Sequence, residues 1–259
     1  MSKAAPLITF RQRFMRCDTL IGTFIKTPTS HTSEILGQVG FDFVVIDEEH
    51  APFDRVTIDA ALLGARAAGT AGIVRVAEPT PAKLLAALDD GAAGVLVPHV
   101  SSPAKAQALA KACRYHGGNR GFSNSPRAGD YGGVGLTQHI AAQDAAVTVI
   151  AMIEDPEAID DIAAIVAVDG IDGFFVGRAD LAVALGQTAI DAAPVRSATE
   201  KVIAAARAAG KPVCIMTASA SEAEDLMTLG VSAFIVASDQ AFMRQAAVRA
   251  LAEFATLRA

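Results

Sequence analysis

Short apolar runs and amphipathic stretches alternate eight times along this chain of 259 residues. The apolar runs have the length of strands that are buried on both faces, and the stretches between them have the length of helices. Eight such units in a chain of this size predict a single-domain (β/α)8 barrel rather than a doubly wound sheet. The predicted strands are 20–25, 43–46, 73–76, 94–97, 147–153, 173–176, 213–216 and 233–236.

The predicted helices carry recognisable start and stop signals. Asp155-Pro156, Ser102-Pro103 and Thr80-Pro81 each place an N-cap residue before a first-turn proline. Left-handed C-caps are expected at the glycines that follow helical runs, which are Gly69, Gly91, Gly210 and Gly230. The predicted helices are 32–39, 55–68, 81–88, 103–114, 156–166, 195–209, 221–229 and 240–257.

The segment 115–146 is long for a connection between a strand and a helix, and it is rich in Gly, Ser and Asn between residues 117 and 135. A loop of this length is usually functional or lies in a contact between subunits. We predict a subunit contact rather than a phosphate cradle, because the segment has no Gly-Lys-Ser or Gly-Lys-Thr ending.

The composition is that of one folded domain over residues 1–259, since 52% of the residues are hydrophobic and 19% are charged. A net charge of -6 without clustered Lys and Arg argues against nucleic acid as a partner. The sequence has no apolar run long enough to span a bilayer. Its three widely spaced cysteines indicate neither a disulfide framework nor a thiolate zinc site. We therefore expect a soluble, cytoplasmic protein with reduced thiols.

The second predicted strand ends in three carboxylates and an imidazole, Asp47, Glu48, Glu49 and His50. If the backbone stays extended, the first and third side chains point to one side and the other two to the opposite side. The four side chains then cannot share one metal ion. His50 is a candidate base whose acidic neighbours set its tautomer and pKa. The alternative interpretation is a polar turn that leads into the next helix.

In a barrel, the residues that follow the strands converge on one open face, where the chemistry is expected. Glu154 and Asp180 follow strands five and six without a Cys or His close in sequence. Such a pair suits a hard divalent cation such as Mg2+ or Mn2+. Taken singly, the two acids could be a solvated first-turn acid and a plain N-cap. Other polar residues at strand ends are Lys26, Arg75, His99 and Arg178.

Asp89 lies four residues after Leu85 and so shares the apolar stripe of the predicted helix 81–88. A carboxylate on that stripe is expected to be partly buried, and it then needs a cation or a hydrogen-bond donor. His50 and Arg75 are its nearest predicted partners. The alternative is a plain acid at the end of the helix.

Six segments of the chain form a familiar ordered pattern. They are Gly22-Thr-Phe-Ile, Gly40-Phe-Asp-Phe-Val-Val-Ile-Asp-Glu-Glu-His50-Ala-Pro, Val74-Arg75-Val, Gly94-Val-Leu-Val-Pro98, Ile153-Glu154 and Gly170-Ile-Asp-Gly-Phe-Phe-Val-Gly-Arg-Ala-Asp180-Leu. From about Gly22 to Val236 the chain resembles the HpcH/HpaI aldolase family, whose members are metal-dependent pyruvate aldolases. The elements around His50 and Asp180 are the specific parts of the resemblance.

The resemblance implies reversible cleavage of a 4-hydroxy-2-oxo acid to pyruvate and an aldehyde, so a small 2-oxo acid and an aldehyde are the expected partners. It assigns the role of catalytic base to His50 and stabilisation of the enolate oxygen to Arg75. Asp89 falls at the family position that raises the basicity of the histidine.

The resemblance also implies a metal site and an assembly. Glu154 and Asp180 match the ligands of a divalent metal, with Mg2+ or Mn2+ expected and Co2+ as a further candidate. Ala179 and Asp180 match backbone contacts to the pyruvate unit. Family members are (β/α)8 barrels that exchange their last helix between subunits and often form hexamers as trimers of dimers. The matching helix here is 240–257.

Two departures from the family pattern concern the substrate. Met152 stands where many members have a glutamine that reaches the substrate, so that polar contact is lost. Arg178 and Lys26 replace small or proline residues, and their charge predicts a substrate with a second carboxylate.

Three alternatives to this chemistry remain at the level of sequence. A Schiff-base aldolase would use Lys26 as its nucleophile. A citrate-lyase-like enzyme would act on a CoA thioester, although the sequence shows no evident basic cradle for the CoA phosphates. A non-catalytic barrel would serve as a binding or assembly subunit, and it would not depend on Glu154.

Overall fold

The computed structural model describes residues 9–258, and its eight parallel strands close into a barrel in chain order. Each strand pairs with its sequence neighbours, and the first strand closes the ring against the last. The predicted fold class is confirmed, and every predicted strand end lies within two residues of the observed one. The strands are β1 (Leu20–Ile25), β2 (Phe43–Asp47), β3 (Ala71–Arg75), β4 (Gly94–Val97), β5 (Thr148–Ile153), β6 (Gly173–Val176), β7 (Val213–Thr217) and β8 (Ala233–Ser238).

Twelve α-helices of the described residues surround the strands. They are α1 (Phe10–Met15), α2 (Ser30–Val39), α3 (Arg55–Ala68), α4 (Pro81–Asp89), α5 (Pro103–Cys113), α6 (Leu136–Ala146), α7 (Pro156–Asp160), α8 (Ile162–Val166), α9 (Arg178–Ala184), α10 (Ala193–Ala208), α11 (Ala220–Leu229) and α12 (Asp239–Glu253). The predicted helix 156–166 is two short helices that meet at Asp161.

Two helices, α1 and α6, were not predicted, and α9 was anticipated only through the placement of Asp180 at the start of a helix. The segment 115–146, predicted as a long loop, contains a 3-10 helix (Arg127–Gly132) and then α6. The sequence pattern does not predict α6, because His139 is its one buried residue and the helix therefore has no apolar stripe.

The interior of the barrel is filled by side chains at every second strand position, as the two-residue period of a strand requires. Val45, Ile73, Met152 and Cys214 belong to this buried interior cluster. Phe10 and Phe14 of α1 join the same cluster. The ring of Phe10 lies 5.2 Å from that of Phe43, the first residue of β2, so α1 covers the N-terminal end of the barrel. The opposite end stays open.

Most helix ends follow the predicted signals. Thr80 and Ser102 each accept a hydrogen bond from a first-turn backbone N–H. Asp155 occupies the N-cap position of α7, but its side chain makes no cap hydrogen bond. The four predicted glycines all have left-handed backbone angles, with φ from 67° to 107°; Gly69 and Gly230 are the C-caps themselves, and Gly91 and Gly210 follow the C-caps Asp90 and Ala209.

The predicted single domain covers residues 1–259, of which residues 1–8 and 259 lie outside the described part. Within residues 9–258, the helices are too short or too polar to cross a membrane. The last helix, α12, is followed by a 3-10 helix (Ala255–Arg258) and carries exposed apolar side chains, among them Met243, Val248 and Leu251. Its exchange between subunits stays a prediction.

Candidate active site

A cavity of about 390 Å³ lies at the open C-terminal end of the barrel. This is the size of a small-molecule site, at the end of the barrel where active sites of this fold lie. The predicted site residues that line the cavity are His50, Arg75, Met152, Ala179 and Asp180. Glu154 does not line the cavity itself, but its carboxylate packs against Gly177, which does.

Asp47 and Arg75 form a buried ion pair at the edge of this cavity. They are register partners on β2 and β3, and each is two residues beyond an interior position, so both side chains point inward. Arg75 Nε and Nη2 donate to Asp47 Oδ1 and Oδ2 at 2.9 and 2.7 Å. Lys26 Nζ lies 2.8 Å from Asp47 Oδ2, and Arg75 Nη1 lies 3.3 Å from Glu49 Oε2. The bidentate contact fixes the guanidinium plane of Arg75.

The chain turns sharply after Asp47 and so brings His50 to the cavity. The backbone N–H of His50 donates to Asp47 Oδ1 at 3.1 Å, which closes a turn of the kind that Asp side chains favour. Glu48 points away and binds Lys83 of α4. Alternation therefore holds for Asp47 and Glu49, which share Arg75, but not for His50, because the strand ends at Asp47. The His50 imidazole is 57% exposed and lies 3.7 Å from Glu49.

Because of Asp47, the unfolding free energy should fall as the pH is lowered. Burial raises the pKa of Asp47, but hydrogen bonds from Arg75 and Lys26 outweigh burial and lower it from 3.8 to about 2. Asp47 therefore stabilises the fold above about pH 4, and this contribution is lost as the pH falls toward 2. Between pH 5 and pH 3 the wild type should lose about 1 kcal/mol more unfolding free energy than Asp47→Asn. Urea titrations at both pH values measure this difference, and equal losses would contradict it.

Glu154 is a buried carboxylate with two other carboxylates, Asp180 and Glu49, in its surroundings. Its Oε1 accepts the backbone N–H of His99 at 2.8 Å, and a Cβ on Gly177 would lie 2.5 Å from its Oε2, so glycine is needed there. Burial raises the pKa of Glu154 to about 7; the charge of His99 opposes this, and the charges of Asp180 and Glu49 add to it. Such a carboxylate is stabilised in its ionised form by a cation placed beside it.

The pair Glu154 and Asp180 fits a hard divalent cation. Among residues 9–258, neither Lys nor Arg forms an ion pair with Glu154, whose nearest ionisable partner is the His99 ring at 3.6 Å. Within the same range, His, Cys, Asp and Glu side chains do not form a group of three or more that could hold a metal ion alone. Two carboxylates, with substrate and water completing the coordination, are the pattern by which Mg2+ is usually held. That Glu154 and Asp180 hold a divalent metal stays a prediction.

Asp180 and Ala179 lie in the first turn of α9. The N-cap of α9 is Gly177, so the alternative in which Asp180 is a plain N-cap is wrong. Both residues line the cavity and are exposed in it. His99 has a left-handed backbone with φ of 54°, and its ring lies 3.1 Å from Asp155.

The structure corrects the predicted contacts of Asp89. Its carboxylate accepts a hydrogen bond from Arg120 Nη2 at 3.2 Å, and the Arg120 side chain is fully buried. Burial raises the pKa of Asp89, although Arg120 opposes the shift. The partner is therefore Arg120, from the long segment after α5, rather than His50 or Arg75. A role for Asp89 in the basicity of His50 stays a prediction from the family resemblance.

The two cations predicted to bind a second substrate carboxylate already have carboxylate partners. Lys26 is held by Asp47, as described above. Arg178 Nη1 donates to Glu222 Oε1 at 2.7 Å, and its Nη2 donates to the carbonyl oxygen of Met216 at 2.6 Å. The expectation of a second substrate carboxylate assumed that Lys26 and Arg178 have no carboxylate partner, and the structure corrects that assumption.

Sequence reasoning missed the apolar part of the cavity, which is formed by Phe24, Phe175, Ile190 and Met216. The two-residue period could have identified Met216, because it lies two positions after the interior residue Cys214. Ile190 precedes α10 in a segment without a strand or helix and offers no comparable signal.

Known proteins resemble this chain over most of its length. Residues 20–246 match the family model described as HpcH/HpaI aldolase/citrate lyase. A protein named pyruvate aldolase from Rhizobium etli is 34% identical over 254 residues, which cover 97% of this chain and 99% of the relative. A 5-keto-4-deoxy-D-glucarate aldolase from Escherichia coli is 34% identical over 228 residues, with 87% of this chain and 88% of the relative covered.

Solved structures give the same result. An HpcH/HpaI aldolase/citrate lyase family protein from Burkholderia cenocepacia is 29% identical, with a TM-score of 0.88 and coverage of 96% of this chain and 98% of that one. The citrate synthase SbnG is 28% identical, with a TM-score of 0.86 and coverage of 95% and 97%. By the matched model and by relatives aligned over nearly the whole length, this chain is an enzyme that belongs to the HpcH/HpaI aldolase/citrate lyase family of carbon–carbon lyases.

Proposed function

We propose that this enzyme is a divalent-metal-dependent pyruvate aldolase, which cleaves a 4-hydroxy-2-oxo acid reversibly to pyruvate and an aldehyde. The observation that carries the proposal is the pair Glu154 and Asp180 at the cavity, with His50 and the fixed guanidinium of Arg75 lining the same cavity. The names of the two relatives, pyruvate aldolase and 5-keto-4-deoxy-D-glucarate aldolase, support the same reaction class.

Glu154 and Asp180 would hold the metal. When bound, Mg2+, Mn2+ or Co2+ supplies Lewis-acid stabilisation of the negative charge that develops on the 2-oxo oxygen. Glu154 is buried, and electrostatic interactions are stronger where water is excluded.

The chain itself provides the proton transfer and a second stabilising contact. An imidazole nitrogen of His50 takes the proton from the C4 hydroxyl as the bond between C3 and C4 breaks and its electrons move into the enolate. Arg75 donates to the enolate oxygen, for which it keeps N–H groups beyond those that bind Asp47. The backbone N–H groups of Ala179 and Asp180 hold the pyruvate carboxylate, and Asp89 supports the basicity of His50. Solvent supplies the proton that adds at C3 to complete pyruvate, and His50 returns its proton to solvent.

Removal and return of the metal test this proposal. After EDTA treatment, release of pyruvate from a panel of 4-hydroxy-2-oxo acids should fall at least a hundredfold, and Mn2+ or Mg2+ should restore it, because two carboxylates cannot replace a Lewis acid. Coupled oxidation of NADH by lactate dehydrogenase measures the pyruvate. Full activity in EDTA would refute the metal-dependent mechanism.

Borohydride reduction in the presence of pyruvate tests the Schiff-base alternative. We expect no trapped adduct, because Lys26 Nζ is held in an ion pair with Asp47 and is not free to attack the keto carbon. An adduct on Lys26 would support that alternative.

We also propose the partners, the oligomeric state and the location of the enzyme. Its partners are a small 2-oxo acid and an aldehyde, and we propose a homo-oligomer, a hexamer built as a trimer of dimers. Cys17, Cys113 and Cys214 are free thiols, which supports our proposal of a reducing, cytoplasmic location.

A further inference from the structure

We infer that the aldehyde half of the substrate is neutral and carries an apolar chain, and that its binding site is the cavity wall formed by Phe24, Phe175, Ile190 and Met216. This inference rests on the proposed function and names the substrate class of the same site. It departs from the sequence-based expectation of a second substrate carboxylate.

The order of the strands leaves one side of the cavity for the aldehyde chain. Glu154 and Asp180 follow β5 and β6, while His50 and Arg75 belong to β2 and β3. Between these two groups the barrel has β4 on one side and β7, β8 and β1 on the other, and the cavity extends along the second side. Met216 of β7 lies on that side.

This side of the cavity presents apolar surface. Met216 is 43% exposed and Ile190 is 44% exposed, although both line the cavity. Phe24 and Phe175 line the same cavity and are buried. An apolar chain that covers the exposed Met and Ile surface is stabilised because that surface is removed from water. Methionine adapts its shape to such a chain.

The charges of the cavity oppose a second carboxylate. The Lys and Arg side chains that line it are Lys26, Arg75 and Arg178, and within residues 9–258 each of them binds a carboxylate. The partner of Arg178 is Glu222, which also accepts hydrogen bonds from Thr217 and the backbone N–H of Ala218. A substrate carboxylate would have to displace this network or enter unpaired, and an unpaired buried charge is costly.

Two aldehydes of nearly equal shape test the inference. In the aldol direction with pyruvate and Mn2+, 4-methylpentanal and succinic semialdehyde differ by an isopropyl group in place of a carboxylate. We expect kcat/KM for 4-methylpentanal to be at least about tenfold higher, since a charge without a partner is rejected strongly. Equal or higher kcat/KM for succinic semialdehyde would overturn the inference and leave the aldolase function intact.

Two variants should move this preference in a defined direction. Glu222→Gln removes the carboxylate partner of Arg178, and Met216→Lys adds a cation to the apolar wall. Each should raise kcat/KM for succinic semialdehyde about five- to tenfold relative to 4-methylpentanal. Glu224→Gln, an exposed change on the same helix, should leave the ratio unchanged. An unchanged ratio in both test variants would remove this wall from the aldehyde site.

Failure of the proposed function gives a different result. An enzyme that forms no carbon–carbon bond with either aldehyde, and releases no pyruvate from 4-hydroxy-2-oxo acids, would refute the aldolase and the inference with it. An enzyme that reacts only with the acidic aldehyde would refute the inference alone.

Discussion

Replacement of His50 by Ala is expected to lower kcat for pyruvate release by roughly two to four orders of magnitude, the usual contribution of a positioned base. The imidazole lines the cavity, and the turn closed by its N–H on Asp47 places it there. Because the side chain is 57% exposed, its loss should leave no buried void and little effect on stability. Steady-state kinetics and thermal unfolding measure the two effects separately.

Chemical rescue distinguishes a base from a structural residue. Added imidazole should restore part of the activity of His50→Ala, because the vacated position opens to the cavity. His116→Ala is the matched control, since His116 is another exposed histidine and does not line the cavity. A rate for His50→Ala within a factor of three of the wild type would remove His50 from the mechanism.

Replacement of Glu154 by Gln is expected to weaken Mn2+ binding at least a hundredfold and to reduce pyruvate release to a similar or greater degree. The change removes one of two anionic ligands, and ligand removal should exceed the 10- to 100-fold loss seen for outer-shell partners. Gln keeps an oxygen that accepts the N–H of His99. Calorimetric titration with Mn2+ measures the affinity without any turnover.

The stability of Glu154→Gln separates loss of the ligand from loss of the fold. The wild-type carboxylate is buried beside other acids, so a neutral side chain of the same shape should leave the unfolding free energy of the metal-free protein unchanged or higher. Glu157→Gln, an exposed change three residues along the chain, is the control. Wild-type Mn2+ affinity in Glu154→Gln would rule out the proposed metal site.

Much of the site could be predicted because it follows from local periodicity. In a closed parallel barrel every strand end reaches the same face, so Asp47, Arg75 and Glu154 could be placed at the cavity from their positions along their strands. The two-residue period that makes them point inward also points Met216 inward. That residue was missed because an apolar side chain in a strand looks like core.

The sequence by itself determined the eight βα units, their order and the acids and bases at the strand ends, since these depend on a repeat visible in every segment. The tertiary structure decided which charges are available to a substrate. Arg120 binds Asp89 from 31 positions away, and Glu222 binds Arg178 from 44 positions away. Contacts of this kind depend on how separate βα units and long connections meet around the closed barrel, and no local pattern encodes that distance. The sequence places several cations at the cavity. In the structure these cations are paired with carboxylates, so the wall that remains for the substrate is apolar.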